Sequence, residues 1–153
     1  KIYHGAGGAH PEIGHVPVLP NGPECYCGTR GCYEIIAAGP AIADAGAEIG
    51  LAGSEAVFAA AAEGNAKAAA IIDGVSAATE VAVWSILHTY LPELILFGGG
   101  IVDGHWPLFE AAAQKSLAAA VLARDEDVTI ARATLGNDAG MVGAASLILQ
   151  NGS

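Results

Sequence analysis

The sequence predicts an α/β fold, in which a sheet of short strands is covered by helices. The run from Asn65 to Leu91 has apolar residues at helical spacing and is long enough for a core helix. The short apolar run Glu93–Phe97 is closed by three glycines, as is typical of a fully buried strand. A further helical run and a second strand, 127–132, follow it. Helices that alternate with short apolar strands indicate the α/β class.

The first 38 residues differ from the rest of the chain. They hold all three cysteines and four of the seven prolines. We predict a short strand here, followed by a long loop, and a loop of that length needs an organiser. Residues 39–153 are predicted to form helices and buried strands. A chain of 153 residues suits a single domain.

Proline, serine and glycine mark the expected helix boundaries. Pro40 stands at or near the first position of a helix that should end near Gly50 or Gly53. Ser54 is a candidate N-cap for the next helix. The long helix that follows should end before Pro92.

The last third of the chain is predicted to contain a helix at 106–122, the strand at 127–132 and a helix at 138–149. The final helix contains Gly140 and Gly143, which lower helix stability. We therefore expect another backbone or a ligand to come close to these glycines, and we favour close helix packing.

Charge and hydropathy exclude several classes of partner. Sixteen acidic and six basic residues give a net charge of −10. Without a basic patch, nucleic-acid binding through this segment is not expected. The start of the chain lacks a signal-peptide pattern, and the apolar stretch 81–102 is broken by His88, Pro92 and Glu93. These features predict a cytoplasmic protein that does not bind membranes.

One histidine and three cysteines have the number and type of ligands that tetrahedral zinc prefers. Glycines between the cysteines let the chain turn tightly, and three prolines stiffen the arm that leads back to the histidine. An odd number of cysteines within eight positions favours a metal site over disulfides. The candidate ligands are His15, Cys25, Cys27 and Cys32.

Other interpretations of these four residues stay open. They could be buried structural cysteines beside an unrelated histidine. A redox pair at Cys25 and Cys27 would leave Cys32 and His15 unexplained. A catalytic Cys–His dyad lacks a third orienting group in the sequence pattern.

The motifs around these residues resemble the ROK (repressor, open reading frame, kinase) family of sugar kinases. The pattern combines E-x-G-H at 12–15, C-x-C-G-x-x-G-C-x-E at 25–34 and A-G-P at 38–40. Residues 96–100 and 135–145 are similar to later landmarks of the family. The resemblance covers essentially the whole chain. It implies the C-terminal lobe of an actin-like ATPase or ribonuclease H-like fold, with a zinc-bound loop insertion.

The resemblance also implies roles for individual residues. Zinc on the four ligands would be structural, and Glu12, His15 and Glu34 match sugar-contacting positions. His15 would bind zinc through one ring nitrogen and donate to a sugar hydroxyl with the other. The nucleotide would lie near the glycine triplet Gly98, Gly99 and Gly100.

Plainer interpretations exist for these positions as well. Glu12 and Glu34 could be ordinary surface acids, and a glycine triplet alone is equally typical of a tight turn. His4, His10, His88 and His105 are assigned no role.

The implied activity is ATP-dependent phosphorylation of a hexose or N-acyl hexosamine with Mg²⁺, by a longer protein. The family carries its catalytic aspartate in an N-terminal lobe, so these residues alone are expected to be inactive and to need that lobe as a partner. Members often form dimers through this half, and the apolar helices permit a homodimer. His10-Pro11 before Glu12 is similar to fructokinase-like members. The sugar therefore stays open between glucose, fructose and another hexose.

Two other functions compete with a kinase. The same lobe serves as the effector-binding part of sugar-responsive transcriptional repressors in this family. A zinc-stabilised dimerisation module is the third interpretation.

Overall fold

The computed structural model describes residues 3–124 and 126–151. The chain forms two compact units, Lys1–Ser85 and Ile86–Ser153. Both helices and parallel strands are present, which confirms the mixed α/β class. The single domain expected from chain length stays a prediction.

The first unit begins with a loop that contains little regular structure. Short 3-10 helices form at Ala6–Gly8 and Ile13–His15, and isolated antiparallel bridges join Pro17 to Cys32 and Glu24 to Arg30. The described residues 3–38 contain no strand, and residues 1 and 2, where the predicted short strand would begin, lie outside the described residues. Gly7 and Gly8 have positive φ, which interrupts an extended backbone.

Three short helices follow: α1 (Glu34–Ala37), α2 (Gly39–Ala47) and α3 (Ser54–Ala62). Pro40 lies in the first turn of α2, as predicted. The prediction of Ser54 as an N-cap is wrong. Gly53, with φ of 87°, holds the N-cap position, and Ser54 is already the first helical residue. Glycine adopts that left-handed backbone without the Cβ penalty that serine would incur.

The long predicted helix is confirmed as α4 (Ala66–Tyr90). Asn65 caps it, because its side-chain oxygen accepts hydrogen bonds from the backbone N–H groups of Lys67 and Ala68, at 3.0 and 3.1 Å. By length and apolarity α4 could cross a membrane. Its Ala78 and Ala82 instead pack against Val18 and other apolar residues of the first 36. We interpret α4 as a core helix.

The second unit contains a parallel pair of strands, β1 (Leu94–Phe97) and β2 (Thr129–Arg132), in register from Leu94 opposite Thr129. Between them runs α5 (Gly100–Ala119), which starts six residues before the predicted Trp106. Its backbone is kinked at His105, two residues before Pro107. Proline lacks a backbone N–H and removes one helical hydrogen bond. The residues of α5 before Pro107 are therefore joined to the rest of the helix through a kink.

Strand β1 is not fully buried, contrary to the prediction. Ile95 is buried, but Leu94 is 50% exposed and Leu96 is 59% exposed. Successive strand residues point to opposite faces of a sheet. In the described residues α5 packs against β2 and, through Trp106 and Phe109, against Phe97 of β1, and the face that carries Leu94 and Leu96 is exposed.

The chain continues with a 3-10 helix at Gly136–Asp138 and with α6 (Ala139–Asn151). The expectation of close helix packing at Gly140 and Gly143 is wrong for the described residues. A Cβ built at either position meets nothing within 4 Å, because residues 139–145 are all exposed. Approach of a ligand to these glycines stays a prediction.

Candidate functional site

Backbone hydrogen bonds hold the loop of the first unit in a compact conformation. The N–H groups of Val18 and Leu19 donate to the Gly31 carbonyl at 2.8 and 3.1 Å, and the Gly31 N–H donates to Pro23 at 2.8 Å. Gly31 has φ of 67°, which favours glycine. The segment at Val18 and Leu19 is thereby held against Gly31, and the cysteines lie close to His15.

The four predicted metal ligands meet in one place. One ligand atom from each of His15, Cys25, Cys27 and Cys32 lies within 4.8 Å of all the others. The Cys25 Sγ lies 3.5 Å from His15 Nδ1, and the Cys27 Sγ lies 3.6 Å from the Cys32 Sγ. Tetrahedral zinc, with Zn–S of about 2.3 Å and Zn–N of about 2.0 Å, places its ligand atoms roughly 3.5–3.8 Å apart. The donor set and these separations therefore fit zinc.

Burial differs among the three thiols. Cys25 and Cys32 are buried and Cys27 is exposed. Burial raises the pKa of the Cys32 thiol to about 12, whereas a backbone hydrogen bond at Thr29 lowers the pKa of Cys27. A thiol binds a metal as the thiolate. A cation is the group that would stabilise a thiolate at so buried a position.

A second group of ligand atoms shares His15 with the first. Atoms of Glu12, His15 and Glu34 lie within 4.8 Å of one another. His15 Nε2 is 3.6 Å from Glu12 Oε2, while its Nδ1 faces Cys25. The imidazole thus stands between the sulfur cluster and two carboxylates. The Glu12 side chain is 69% exposed, so its oxygens are accessible to a ligand.

Tyr33 anchors the helix that begins at Glu34. Its hydroxyl lies 3.1 Å from Thr79 Oγ1, and Thr79 Oγ1 donates to the Val75 carbonyl at 2.8 Å. Because the Thr79 proton is used there, Tyr33 is the donor to Thr79. Burial raises the pKa of Tyr33. This contact fixes the start of α1, and therefore the backbone of Glu34, against α4.

Tyr26 and Gly14 belong to the site, although the sequence analysis assigned neither of them a role. The Tyr26 hydroxyl donates to Glu34 Oε1 at 2.8 Å, and its ring meets the His15 ring edge-on, with centroids 4.8 Å apart. The hydrogen bond to Glu34 raises the pKa of Tyr26 to about 12. A Cβ on Gly14 would lie 2.9 Å from Glu34 Oε2. The only sequence signal for Tyr26 was its place between two predicted metal ligands.

The predicted nucleotide glycines lie in the second unit, between β1 and α5. Gly99 has φ of 112° and holds the N-cap position, and Gly100 is the first helical residue. A Cβ on Gly99 or Gly100 would meet nothing within 4 Å. A strand, a glycine turn and the N-terminus of a long helix form an arrangement that can receive an anion.

Comparison with known proteins settles the family. The model of the ROK family matches residues 1–151. The chain belongs to the ROK family. A glucokinase from Thermotoga maritima is 35% identical over 160 residues, with 94% of this chain and 50% of that protein covered. An N-acetylmannosamine kinase from Escherichia coli is 34% identical over 151 residues, covering 96% of this chain and 50% of that protein. The chain therefore spans about half the length of these relatives.

Solved structures agree with this membership. A ROK hexokinase from Thermus thermophilus has a TM-score of 0.81 and 28% identity, with 99% of this chain and 52% of that one covered. A ROK family transcriptional regulator, a homologue of the E. coli MLC protein, has a TM-score of 0.68 and 25% identity. The match covers 94% of this chain and 39% of the regulator. The fold is thus shared by kinases and a regulator.

Proposed function

We propose that this ROK chain is the sugar-binding and nucleotide-facing half of an ATP-dependent hexose kinase. The observation that carries the proposal is the position of His15. Its Nδ1 lies 3.5 Å from the Cys25 sulfur, and its Nε2 lies 3.6 Å from a Glu12 carboxylate oxygen. One imidazole therefore links a metal-type cluster to a group of hydrogen-bonding carboxylates.

In this proposal zinc is held by His15, Cys25, Cys27 and Cys32, and its role is structural. A closed set of four protein ligands leaves no position for a reacting water. With Nδ1 on the metal side, the neutral imidazole carries its proton on Nε2. Nε2 can then donate to a sugar hydroxyl.

The sugar is held in this proposal by Glu12, His15 and Glu34. Carboxylates accept hydrogen bonds from hydroxyl groups, and bonds to an ionised acceptor are stronger than neutral ones. The similar kinases are named for glucose and for N-acetylmannosamine. A hexose or an N-acyl hexosamine is therefore the proposed substrate class.

The glycine turn Gly98–Gly100 is proposed to face ATP with Mg²⁺. Backbone N–H groups at the N-terminus of α5 (Gly100–Ala119) favour an anion, and glycines there leave room for a phosphate to approach. The γ-phosphoryl group passes from ATP to the sugar hydroxyl, whose proton goes to a base. None of the 153 residues is assigned as that base.

Several further properties belong to the same proposal. Residues 1–153 alone are proposed to bind zinc and to present the sugar contacts, without phosphoryl transfer. The complete protein, with its N-terminal lobe, is proposed to be a cytoplasmic homodimer. The apolar surface of α4, which includes Val81 and Trp84 at 42% and 40% exposure, is compatible with a second copy.

The second candidate function is the effector-binding lobe of a sugar-responsive repressor. Its support is the similarity to the ROK regulator structure. Zinc and sugar contacts serve either function, so they do not distinguish the two. ATP-dependent phosphoryl transfer distinguishes them, because only a kinase performs it.

The test uses the full-length protein that contains this chain. We expect about one zinc per chain, together with ATP-dependent phosphorylation of at least one sugar among glucose, fructose and N-acetylmannosamine. Glu34→Gln should raise the sugar KM by about tenfold or more and leave zinc content unchanged. Glu24→Gln is the matched control, because Glu24 lies in the same loop but pairs with Arg30 at 2.7 Å.

Each outcome distinguishes one part of the proposal. Sugar binding without phosphoryl transfer would favour the repressor. A stable, correctly folded protein without metal would refute the zinc assignment. An unchanged sugar KM in Glu34→Gln would remove Glu34 from the site.

A further inference from the structure

Tyr26 contacts both sides of the candidate sugar site. Its hydroxyl donates to Glu34 Oε1 at 2.8 Å, and its ring packs edge-on against His15. The residue stands between Cys25 and Cys27, so the metal ligands on either side fix its backbone. Its side chain is nevertheless 76% exposed. A large exposed aromatic residue is thus held in one place by two polar residues of the site.

The Glu34 carboxylate has a close neighbour at each of its two oxygens. Oε1 accepts the Tyr26 hydrogen bond, and Oε2 lies so close to Gly14 that a Cβ there would be 2.9 Å away. The terminal torsion of a glutamate is otherwise broad and weakly defined. A carboxylate has about four lone-pair positions, so it can accept this bond and still bind ligand hydroxyls.

We propose that Tyr26 is a positioning residue that orients Glu34 for sugar binding, an inference that rests on the proposed function. Tyr26 acts through Glu34 and takes no part in the chemistry. It also limits rotation of the His15 ring through its edge contact. The proposed sugar contacts are therefore oriented by a residue that lies between two of the predicted metal ligands.

The opposite role for Tyr26 would be competition. If its hydroxyl occupied the position of a sugar hydroxyl, the sugar would have to displace it, and loss of the hydroxyl would tighten binding. Positioning and competition predict opposite signs for Tyr26→Phe.

The experiment compares Tyr26→Phe with the wild-type full-length protein. The sugar KM and the sugar Kd without ATP should rise about fivefold, because a hydrogen bond to an ionised but exposed group is lost. The kcat should stay within about twofold of the wild-type value. The ATP KM and the zinc content should not change. Tyr26→Ala, which also removes the ring from His15, should raise the sugar KM further. Tyr3→Phe is the control, since Tyr3 is 70% exposed and its hydroxyl is not the one bonded to Glu34.

The outcomes separate this inference from the proposed function. If Glu34→Gln weakens sugar binding and Tyr26→Phe leaves it unchanged or tightens it, the positioning role is refuted and the sugar site stands. If neither the wild type nor any variant binds a sugar, the proposed function fails and the positioning role fails with it. If Tyr26→Phe loses zinc, Tyr26 is a structural residue of the loop and the inference is overturned.

Discussion

Replacement of Gly31 by alanine tests whether the loop geometry brings the predicted metal ligands together. Gly31 has φ of 67°, and a Cβ built on it would lie 1.8 Å from the Leu19 carbonyl oxygen and 2.7 Å from the Leu19 carbonyl carbon. Both atoms belong to the backbone, so no side-chain rotation relieves the overlap. The Leu19 segment would have to move by roughly 1 Å or more to restore normal contact distances.

The cost of this replacement can be worked from the contacts of Gly31. The left-handed backbone costs an L-residue about 1–2 kcal/mol. Movement of Leu19 also disturbs the three backbone hydrogen bonds that join Gly31 to Val18, Leu19 and Pro23, each worth about 0.5–1.5 kcal/mol. The total is about 3–6 kcal/mol, a large part of the stability of a typical domain. Since every 1.4 kcal/mol corresponds to tenfold in affinity, zinc binding should weaken by about two orders of magnitude or more.

Gly28→Ala provides the matched control for the Gly31 experiment. Gly28 lies three residues earlier, has φ of 94°, and a Cβ there would meet nothing within 4 Å. It should therefore lose about 1–2 kcal/mol of loop stability and about 5- to 30-fold in zinc affinity, less than the Gly31 variant. Zinc affinity is measured by competition with a chromogenic chelator, and stability by thermal unfolding with zinc present. Equal zinc affinity in the two variants would refute the argument that the Leu19–Gly31 contact shapes the site.

Three further substitutions probe other parts of the chain. Asn65→Ala should lower the free energy of unfolding by about 1 kcal/mol, because it removes the cap of α4; denaturant titration checks this, and an unchanged midpoint would show that the cap contributes nothing. Phe109→Ala should lower the free energy of unfolding by about 3–5 kcal/mol, since Phe109 is 1% exposed. A loss of less than about 1 kcal/mol in the same titration would contradict the buried position. Gly14→Ala should raise the sugar KM severalfold while zinc content stays the same, because its Cβ would displace the Glu34 carboxylate; a wild-type KM would show that Glu34 tolerates the shift.

The meeting of the four candidate ligands could be predicted from the sequence because its signal is chemical and local. Three cysteines and a histidine within 18 positions have few alternative uses, and the structure brings all four ligand atoms together. The helix α4 was equally accessible, since Asn65 and Pro92 mark its ends and apolar residues follow helical spacing between them. Both predictions depended on residues close together in the chain.

Features that depend on distant partners could not be predicted in the same way. The exposure of Leu94 and Leu96 follows from which elements cover each face of the strand, and the local apolar run does not specify this. The proposed role of Tyr26 depends on a hydrogen bond to Glu34, eight positions away, across the turn that carries the predicted metal ligands. Likewise, Gly53 in place of Ser54 as the N-cap was set by a positive φ, which no spacing rule reveals.

The shared imidazole of His15 has a thermodynamic consequence. In the proposed function one ring nitrogen belongs to zinc and the other to the sugar, so the occupancies of the two ligands are linked. Any factor by which zinc tightens sugar binding is the factor by which sugar tightens zinc binding. Sugar should therefore slow the removal of zinc by a chelator, and scarcity of zinc should weaken the response to sugar. The loop would then make the protein sensitive to the availability of two nutrients through a single side chain.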